Sequence, residues 1–389
     1  MAERVIIHMD LDTFFVSVER LLNRELEGRP VLIGGASDRG VVAACSYEAR
    51  RFGIRSGMPM KTARLLCPEA VVLRGNMADY SRFSAMVTEI IHSNVPLYEK
   101  TSIDEFYIDM TGMERFFSSY RMTLELQQRI NKETGLPISF GLATNKTVAK
   151  IATNEAKPGH LRIAQGLEKP FLAPLSVKKI PMVGASTYQT LAGLGLRRIS
   201  TVQQMPVELM EAALGRYGIT LWKKANGIDN SPVVPYSESK SISTERTFDS
   251  DTTDVAHLRS VITAMTETLA FKLRQEHKLT ACLAVKIRYA DFNTHSRQMH
   301  LPYTAADHLL IPRALELFDK LYNRRLLVRL VGVRFSHLVG GGYQINLFDD
   351  TEEKINLYQA MDHLRQRFGK RAVMRAAGWP GATTLAAKY

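Results

Sequence analysis

Two acidic strings carry the first chemical signal: Asp10-Leu11-Asp12, where an apolar run meets polar sequence, and Ser102-Ile103-Asp104-Glu105, far downstream. If both lie on neighbouring strands of one sheet, Asp10, Asp104 and Glu105 fall side by side. Clustered carboxylates repel one another unless a cation lies between them. Hard oxygen donors of this kind suit Mg²⁺, which keeps several waters and accepts phosphate oxygens. Two such ions would stabilise the attacking and leaving oxygens of an in-line phosphoryl displacement. The same residues also have plainer uses: Asp12 is a good N-cap for a helix starting at Phe14, and Asp104 and Glu105 could simply charge a turn.

The elements needed to position these acids are readable. Arg4–Met9 is a β-branched, apolar stretch that predicts a buried strand ending at Asp10, with a helix over Phe14–Leu22 behind it. Short strands are expected near Val31–Ile33 and Val41–Ala44, and helices over Tyr47–Phe52, from Pro59, and over Asp79–Ser93. Tyr98–Ser102 and Phe106–Asp109 flank a tight connection at Ile103–Glu105. A helix near Leu124–Lys132, a strand at Ile138–Ala143 and a helix capped near Asn145 complete a mixed α/β unit. Beyond Gly166 the pattern is helical to Gly227, and Asn230–Lys240 reads as a linker. The order strand-helix-strand-strand-helix-strand then follows, with strands near Ile242–Phe248, Cys282–Tyr289, Ser296–Leu301 and Val328–Ser336. Its helices fall near Val255–Gln275 and Ala305–Tyr322, which suggests a small α/β sandwich with one open sheet face.

The 389 residues suggest about two to four domains. A formal charge of +12 and a pI near 9.5 point to a polyanionic partner. Cys45, Cys67 and Cys282 stand far apart with no histidine at ligand spacing, so neither a disulfide framework nor a zinc site is expected, and a reducing cytoplasm fits best. No signal peptide or membrane-spanning run is expected either.

Four strings occur in order: HMDLDTFFVSVE, SYEARRFGIRSGMP, SIDEFYIDM and GLATNKTVAKIATNEAKP. Together they resemble the Y-family, lesion-bypassing DNA polymerases, and most closely the bacterial polymerase IV branch, over about residues 4 to 340. The resemblance implies an α/β and α+β multidomain right hand. A ferredoxin-like palm would take residues 1–10 and 78–165, small fingers 11–77, and a helical thumb with a helix-hairpin-helix 166–231. A linker (232–241), an α/β little finger (242–338) and a C-terminal tail (339–389) would follow. The implied reaction is template-directed addition of dNTPs to a primer 3′-OH, with low fidelity and no proofreading exonuclease. Asp10, Asp104 and Glu105 match the acids that hold two Mg²⁺ ions, with Mn²⁺ as a substitute, and the Leu11 carbonyl is an expected further ligand. Phe15 matches the steric gate that excludes a ribose 2′-OH. Thr13, Phe14 and Phe15 would offer backbone N–H groups to phosphate at a helix start, and Tyr47, Arg50 and Lys157 would contact the triphosphate. Ala44 departs from the family's frequent hydroxyl residue.

Ile180-Pro181-Met182-Val183-Gly184 resembles a DNA-phosphate-binding hairpin, with Val183 and Gly184 as contacts and Met182 in place of the usual first glycine. In the last module, Lys286, Arg288, Arg297 and Arg334, with Arg246 nearby, could line one open sheet face along primer-template DNA. Gly340-Gly341-Gly342 reads as a spacer, and Gln344-Ile345-Asn346-Leu347-Phe348 after it resembles a peptide for the bacterial sliding clamp, with Gln344, Leu347 and Phe348 as anchors. Tyr358, Met361, Leu364 and Phe368 recur at helical spacing beyond it. A nucleotide cyclase on a similar palm would need neither hairpin nor clamp peptide, and a dead scaffold would not need the acids. The expected protein is a cytoplasmic, monomeric enzyme.

Overall fold

Ile6–Leu11 (β1) is buried at every position, because both faces of its sheet are covered. The computed structural model describes residues 4–113, 116–322, 326–341, 352–369 and 372–378. The chain divides into two compact units, Met1–Ser237 and Glu238–Tyr389.

In the first unit, β1 is followed by a helix over Phe14–Leu22 (α1), strands Val31–Gly34 (β2) and Val42–Cys45 (β3), helices Tyr47–Arg51 (α2) and Met60–Leu66 (α3), and strand Val71–Leu73 (β4). The helix Met77–His92 (α4), strands Tyr98–Lys100 (β5) and Glu105–Asp109 (β6), helix Ser119–Thr134 (α5), strand Ile138–Ala143 (β7), helix Lys146–Ala156 (α6) and strand His160–Arg162 (β8) come next. The main sheet has the order β5-β6-β1-β7-β8, so β1, with Asp10 near its end, lies at the centre. Strand alternation sorts its side chains. Ile7, Met9 and Leu11 join Phe106, Ile108 and Phe140 in a core with Val87 and Ile91 of α4 and Leu126 and Ile130 of α5. Met9, Phe106 and Phe140 are fully buried, each contributing about 1.5–3 kcal/mol. The even positions of β1 and the odd positions of β6 and β7 face the other way, toward α6. Gly141 makes this approach possible: a Cβ there would stand 2.3 Å from the Ala149 carbonyl oxygen.

A three-stranded sheet of order β3-β2-β4 packs on α2 and α3 through Leu32, Val42, Ala49, Ile54 and Met60. Five helices then follow: Glu168–Leu172 (α7), Ala185–Gly193 (α8), Ile199–Gln204 (α9), Val207–Leu214 (α10) and Arg216–Ala225 (α11).

The second unit runs Ser241–Thr252 (β9), Val255–Gln275 (α12), Lys278–Tyr289 (β10), Thr294–Thr304 (β11), Asp307–Leu321 (α13), Val328–Gly340 (β12) and Glu352–Phe368 (α14). Its antiparallel sheet has the order β11-β10-β12-β9. Leu283, Val285, Ile287, Val331, Val333 and Phe335 pack under α12 and α13. The α14 helix is fixed to this unit: Arg365 pairs with Glu267 of α12, and Asp362 accepts from Arg274 Nε at 2.6 Å.

Three local expectations change. Asp12 does not cap α1: the N-cap residue is Thr13, in the left-handed region at φ 44°, with no side-chain cap. That turn sends the Asp12 carboxylate to the buried Ser139 hydroxyl, 2.7 and 2.9 Å from its two oxygens. The strands β4 and β8 were not expected, being three residues each. The glycine spacer begins inside structure, since Gly340 ends β12 and the Gly341 N–H donates to the His277 carbonyl at 2.8 Å.

Candidate active site and nucleic-acid interface

Antiparallel pairing sets Asp10 of β1 directly opposite Glu105 of β6, both on the face turned to α6. The Leu11 N–H donates to the Asp104 carbonyl at 3.1 Å, drawing the second acidic turn onto the end of β1. Ser102 Oγ steadies that turn by donating to Asp104 Oδ1 at 2.6 Å and accepting from the Glu105 N–H at 3.0 Å. His8, two residues before Asp10 and so on the same face, completes a cluster in which one ligand atom each of His8, Asp10 and Glu105 lies within 4.8 Å of the others.

The electrostatics are those of crowded acids held by cations. Burial, opposed by Lys157 and reinforced by Glu105 and Asp104, pushes Asp10 up to about 7. Glu105 is held well below the usual carboxylate range by His8 and by Lys150, whose Nζ is 2.6 Å from Oε2. Burial lowers the His8 imidazole, and its Nδ1 lies 2.9 Å from Thr153 Oγ1. Lys157 pairs with Asp10 Oδ1 and stands 4.0 Å from Asp12 Oδ1. The Ser139 hydroxyl, which donates to Asp12, also accepts from the Gly159 N–H at 3.0 Å, tying the Lys157-Pro158-Gly159 turn to the site.

The sequence-selected residues around this cluster separate by role. Tyr47 and Arg50 share a face of α2, with the guanidinium 5.0 Å from the ring centroid. The Tyr47 hydroxyl is buried beside the Asp12 carboxylate, and Arg50 Nε is buried with no hydrogen-bond partner among the described residues. Burial, with Asp12 next, pushes the Tyr47 hydroxyl up to about 12. Phe14 is core, only 3% exposed, whereas Phe15 is partly buried and stacks on Tyr80 with centroids 4.2 Å apart and planes 11° apart. Sequence reasoning missed His8, Lys150, Ser139 and Tyr80. Alternation along β1 could have singled out His8, but the other three reach the site only through the fold.

In the helical hairpin, Met182 takes φ 80°, a conformation glycine favours, and is 72% exposed. The Val183 N–H is already used, donating to the Ile180 carbonyl at 3.1 Å, while Gly184 is the N-cap of α8. The five basic residues of the second unit do not share one face. Lys286, Arg288 and Arg334 lie on the even positions of β10 and β12, away from the helices. Arg246 pairs in register with the core residue Val331 and Arg297 with Val285, so both project on the helix side. Arg297 there donates to the Lys320 carbonyl of α13 at 3.3 Å. Lys286 is also partly neutralised by an ion pair with Glu245. Gln344, Leu347 and Phe348 lie outside the described residues.

Residues 9–154 match the impB/mucB/samB family and residues 239–347 match that family's C-terminal domain. A protein described as DNA polymerase IV from Dehalococcoides mccartyi is 39% identical over 374 residues, covering 95% of this chain and 96% of its own. Another of that description from Desulfatibacillum aliphaticivorans is 38% identical, covering 97% of each. The chain belongs to the Y family of DNA polymerases. A solved Y-family polymerase chimera shares the fold, with a TM-score of 0.74 at 24% identity, over 87% of this chain and all of that one. The polymerase thus has its carboxylate centre on the central strand pair of the first unit, with divalent metal use implied by the family and a buried acidic cluster to receive it. No helix among the described residues is long and apolar enough to cross a membrane.

Proposed function

We propose that this chain extends a DNA primer by template-directed addition of dNTPs, copying damaged templates at low fidelity, at a centre built on Asp10, Asp104 and Glu105. The observation that carries this reading is the register that sets Asp10 opposite Glu105, with Asp104 drawn in by the Leu11 N–H. Two Mg²⁺ ions, for which Mn²⁺ can substitute, would when bound stabilise the negative charge on the attacking and leaving oxygens. Asp10, Asp104 and Glu105 would hold that pair with the Leu11 carbonyl, and Glu105 would also help orient the primer hydroxyl. Tyr47, Arg50 and Lys157 neutralise the triphosphate, the N–H groups of Thr13 to Phe15 approach its phosphates, and Phe15 bars a 2′-OH.

In this reading, residues 1–10 and 78–165 form the palm, 11–77 the fingers, 166–231 the thumb and 242–338 the little finger. Gly184 and the outward-facing Lys286, Arg288 and Arg334 track the duplex backbone without reading its sequence. The enzyme acts as a monomer in the cytoplasm, and Gln344, Leu347 and Phe348 dock on the sliding clamp.

Primer extension with four dNTPs and Mg²⁺ tests the centre. Templated extension by the wild type and its loss in the Asp104→Ala/Glu105→Ala variant is the expected result. Extension that survives in the variant would remove the acids from the chemistry. Replacing Gln344, Leu347 and Phe348 with alanine should abolish stimulation by the clamp while leaving clamp-free extension intact; unchanged stimulation would refute the docking role.

A further inference from the structure

Cys282, His300 and His337 are remote from one another in sequence, yet the second unit brings one ligand atom of each within 4.8 Å of the other two. They stand on three neighbouring strands. Cys282 of β10 pairs in register with His300 of β11 and Ser336 of β12, and His337 follows Ser336. Spacing rules for metal sites cannot see such a cluster, since every approach is across strands.

Three further features mark the place. His337 lies inside β12 yet takes φ 53°, a left-handed conformation that a strand residue other than glycine seldom adopts. The pairing of β10 with β11 shifts register between Thr280 and Cys282, next to the site. The Cys282 side chain is 1% exposed but belongs to none of the apolar clusters, whereas both histidines are exposed, with ring centroids 5.2 Å apart. The thiol thus lies under two imidazoles on the face of β10 that points away from α12 and α13.

We propose that Cys282, His300 and His337 form a binding site for a zinc-class transition-metal ion, separate from the carboxylate centre. One thiolate and two imidazoles are a borderline-soft donor set that prefers Zn²⁺ over Mg²⁺, so the two centres select different ions. Tetrahedral ligation needs donor atoms about 3.5 Å apart, and small rotations of the exposed histidines supply the closure. Binding forms one metal–sulfur and two metal–nitrogen bonds, and the thiol proton leaves to solvent. Three protein donors leave a fourth position for water. The ion would tie the edge strand β11 to β10 and β12.

The test uses the full-length, reduced chain titrated with Co²⁺ in excess Mg²⁺, which occupies the carboxylate centre. The expected result is one equivalent of Co²⁺ with a thiolate-to-cobalt absorption band, displaced by Zn²⁺. Affinity should fall at least about tenfold in His300→Gln and in His337→Gly, and the band should vanish in Cys282→Ser. His337→Gly removes the donor while accepting the backbone conformation, so it keeps the test valid even if Cys282→Ser fails to fold. Zn²⁺ should raise the unfolding midpoint of the wild type and not that of His337→Gly. Absence of a stoichiometric band in the wild type, or full affinity retained in His337→Gly, would overturn the site.

Discussion

Tyr80 is the residue through which the sugar gate proposed for Phe15 can be tested without touching Phe15 itself. Its ring lies parallel to Phe15 at 4.2 Å, its side chain is 2% exposed, and its hydroxyl donates to Glu19 Oε1 at 2.6 Å. Two substitutions separate the ring from the hydroxyl. Tyr80→Leu removes the stack, worth about 0.5–1.5 kcal/mol beyond area burial. If all of that energy holds Phe15 in place against a 2′-OH, discrimination falls by about 2- to 13-fold. Tyr80→Phe keeps the stack and gives up the hydrogen bond to a carboxylate, a stability cost of about 1.5–3 kcal/mol with discrimination preserved. The assay is single-nucleotide insertion, comparing kcat/KM for a dNTP and its ribonucleotide, with Phe15→Ala as the upper limit of lost selectivity. Unchanged selectivity in Tyr80→Leu would show that Phe15 needs no support. Equal losses in both variants would move the support from ring to hydroxyl.

Further outcomes follow from the same geometry. Between about pH 4 and 7 the folded chain holds a proton on Asp10 that the unfolded chain has released, so this group's contribution to stability declines as pH rises. His8, lowered by burial, acts in the opposite sense below its ordinary value. Urea unfolding in chelator should therefore give Asp10→Asn a stability advantage over wild type that grows with pH, by at most about 1.4 kcal/mol per unit. An advantage independent of pH would contradict the raised carboxyl. Arg334→Ala should weaken DNA binding on any sequence and reduce the slope of log affinity against log salt by about one, whereas Arg297→Ala, on the helix side, should leave that slope unchanged. Glu267→Ala leaves the buried Arg365 guanidinium only Asp362, at 3.6 Å, as a counter-charge and should cost at most about 3–5 kcal/mol in the second unit, read as a lower midpoint for its unfolding.

How far the sequence could be read depends on the range of the forces involved. The helices Phe14–Leu22 and Val255–Gln275 and the strand Ile138–Ala143 have the expected bounds, because periodicity and flanking caps are local. The strands Val71–Leu73 and His160–Arg162 are too short to show a period, and they exist by pairing with β2 and β7. Asp12 follows the local rule for a cap, yet Ser139, distant in sequence, claims its carboxylate. The acids were legible as types, but the opposition of Asp10 and Glu105 is a matter of register. Register also decides that Arg246 and Arg297 turn toward the helices, and that Cys282 meets two histidines. In each case the missing information was which strand lies beside which.

The ammonium groups of Lys150 and Lys157 have a consequence for the order of events in the life of the molecule. Each rests on an acid of the centre, Lys150 on Glu105 and Lys157 on Asp10. The carboxylates therefore acquire counter-charges from the chain as it folds, and maturation does not wait for a mineral ion. In the proposed reading, an ion bound by these acids would displace an ammonium, and Lys157 would then be free for the triphosphate. A chelator should accordingly silence synthesis while leaving the circular dichroism of the first unit where it was. Activity should return on adding the ion, with no refolding lag.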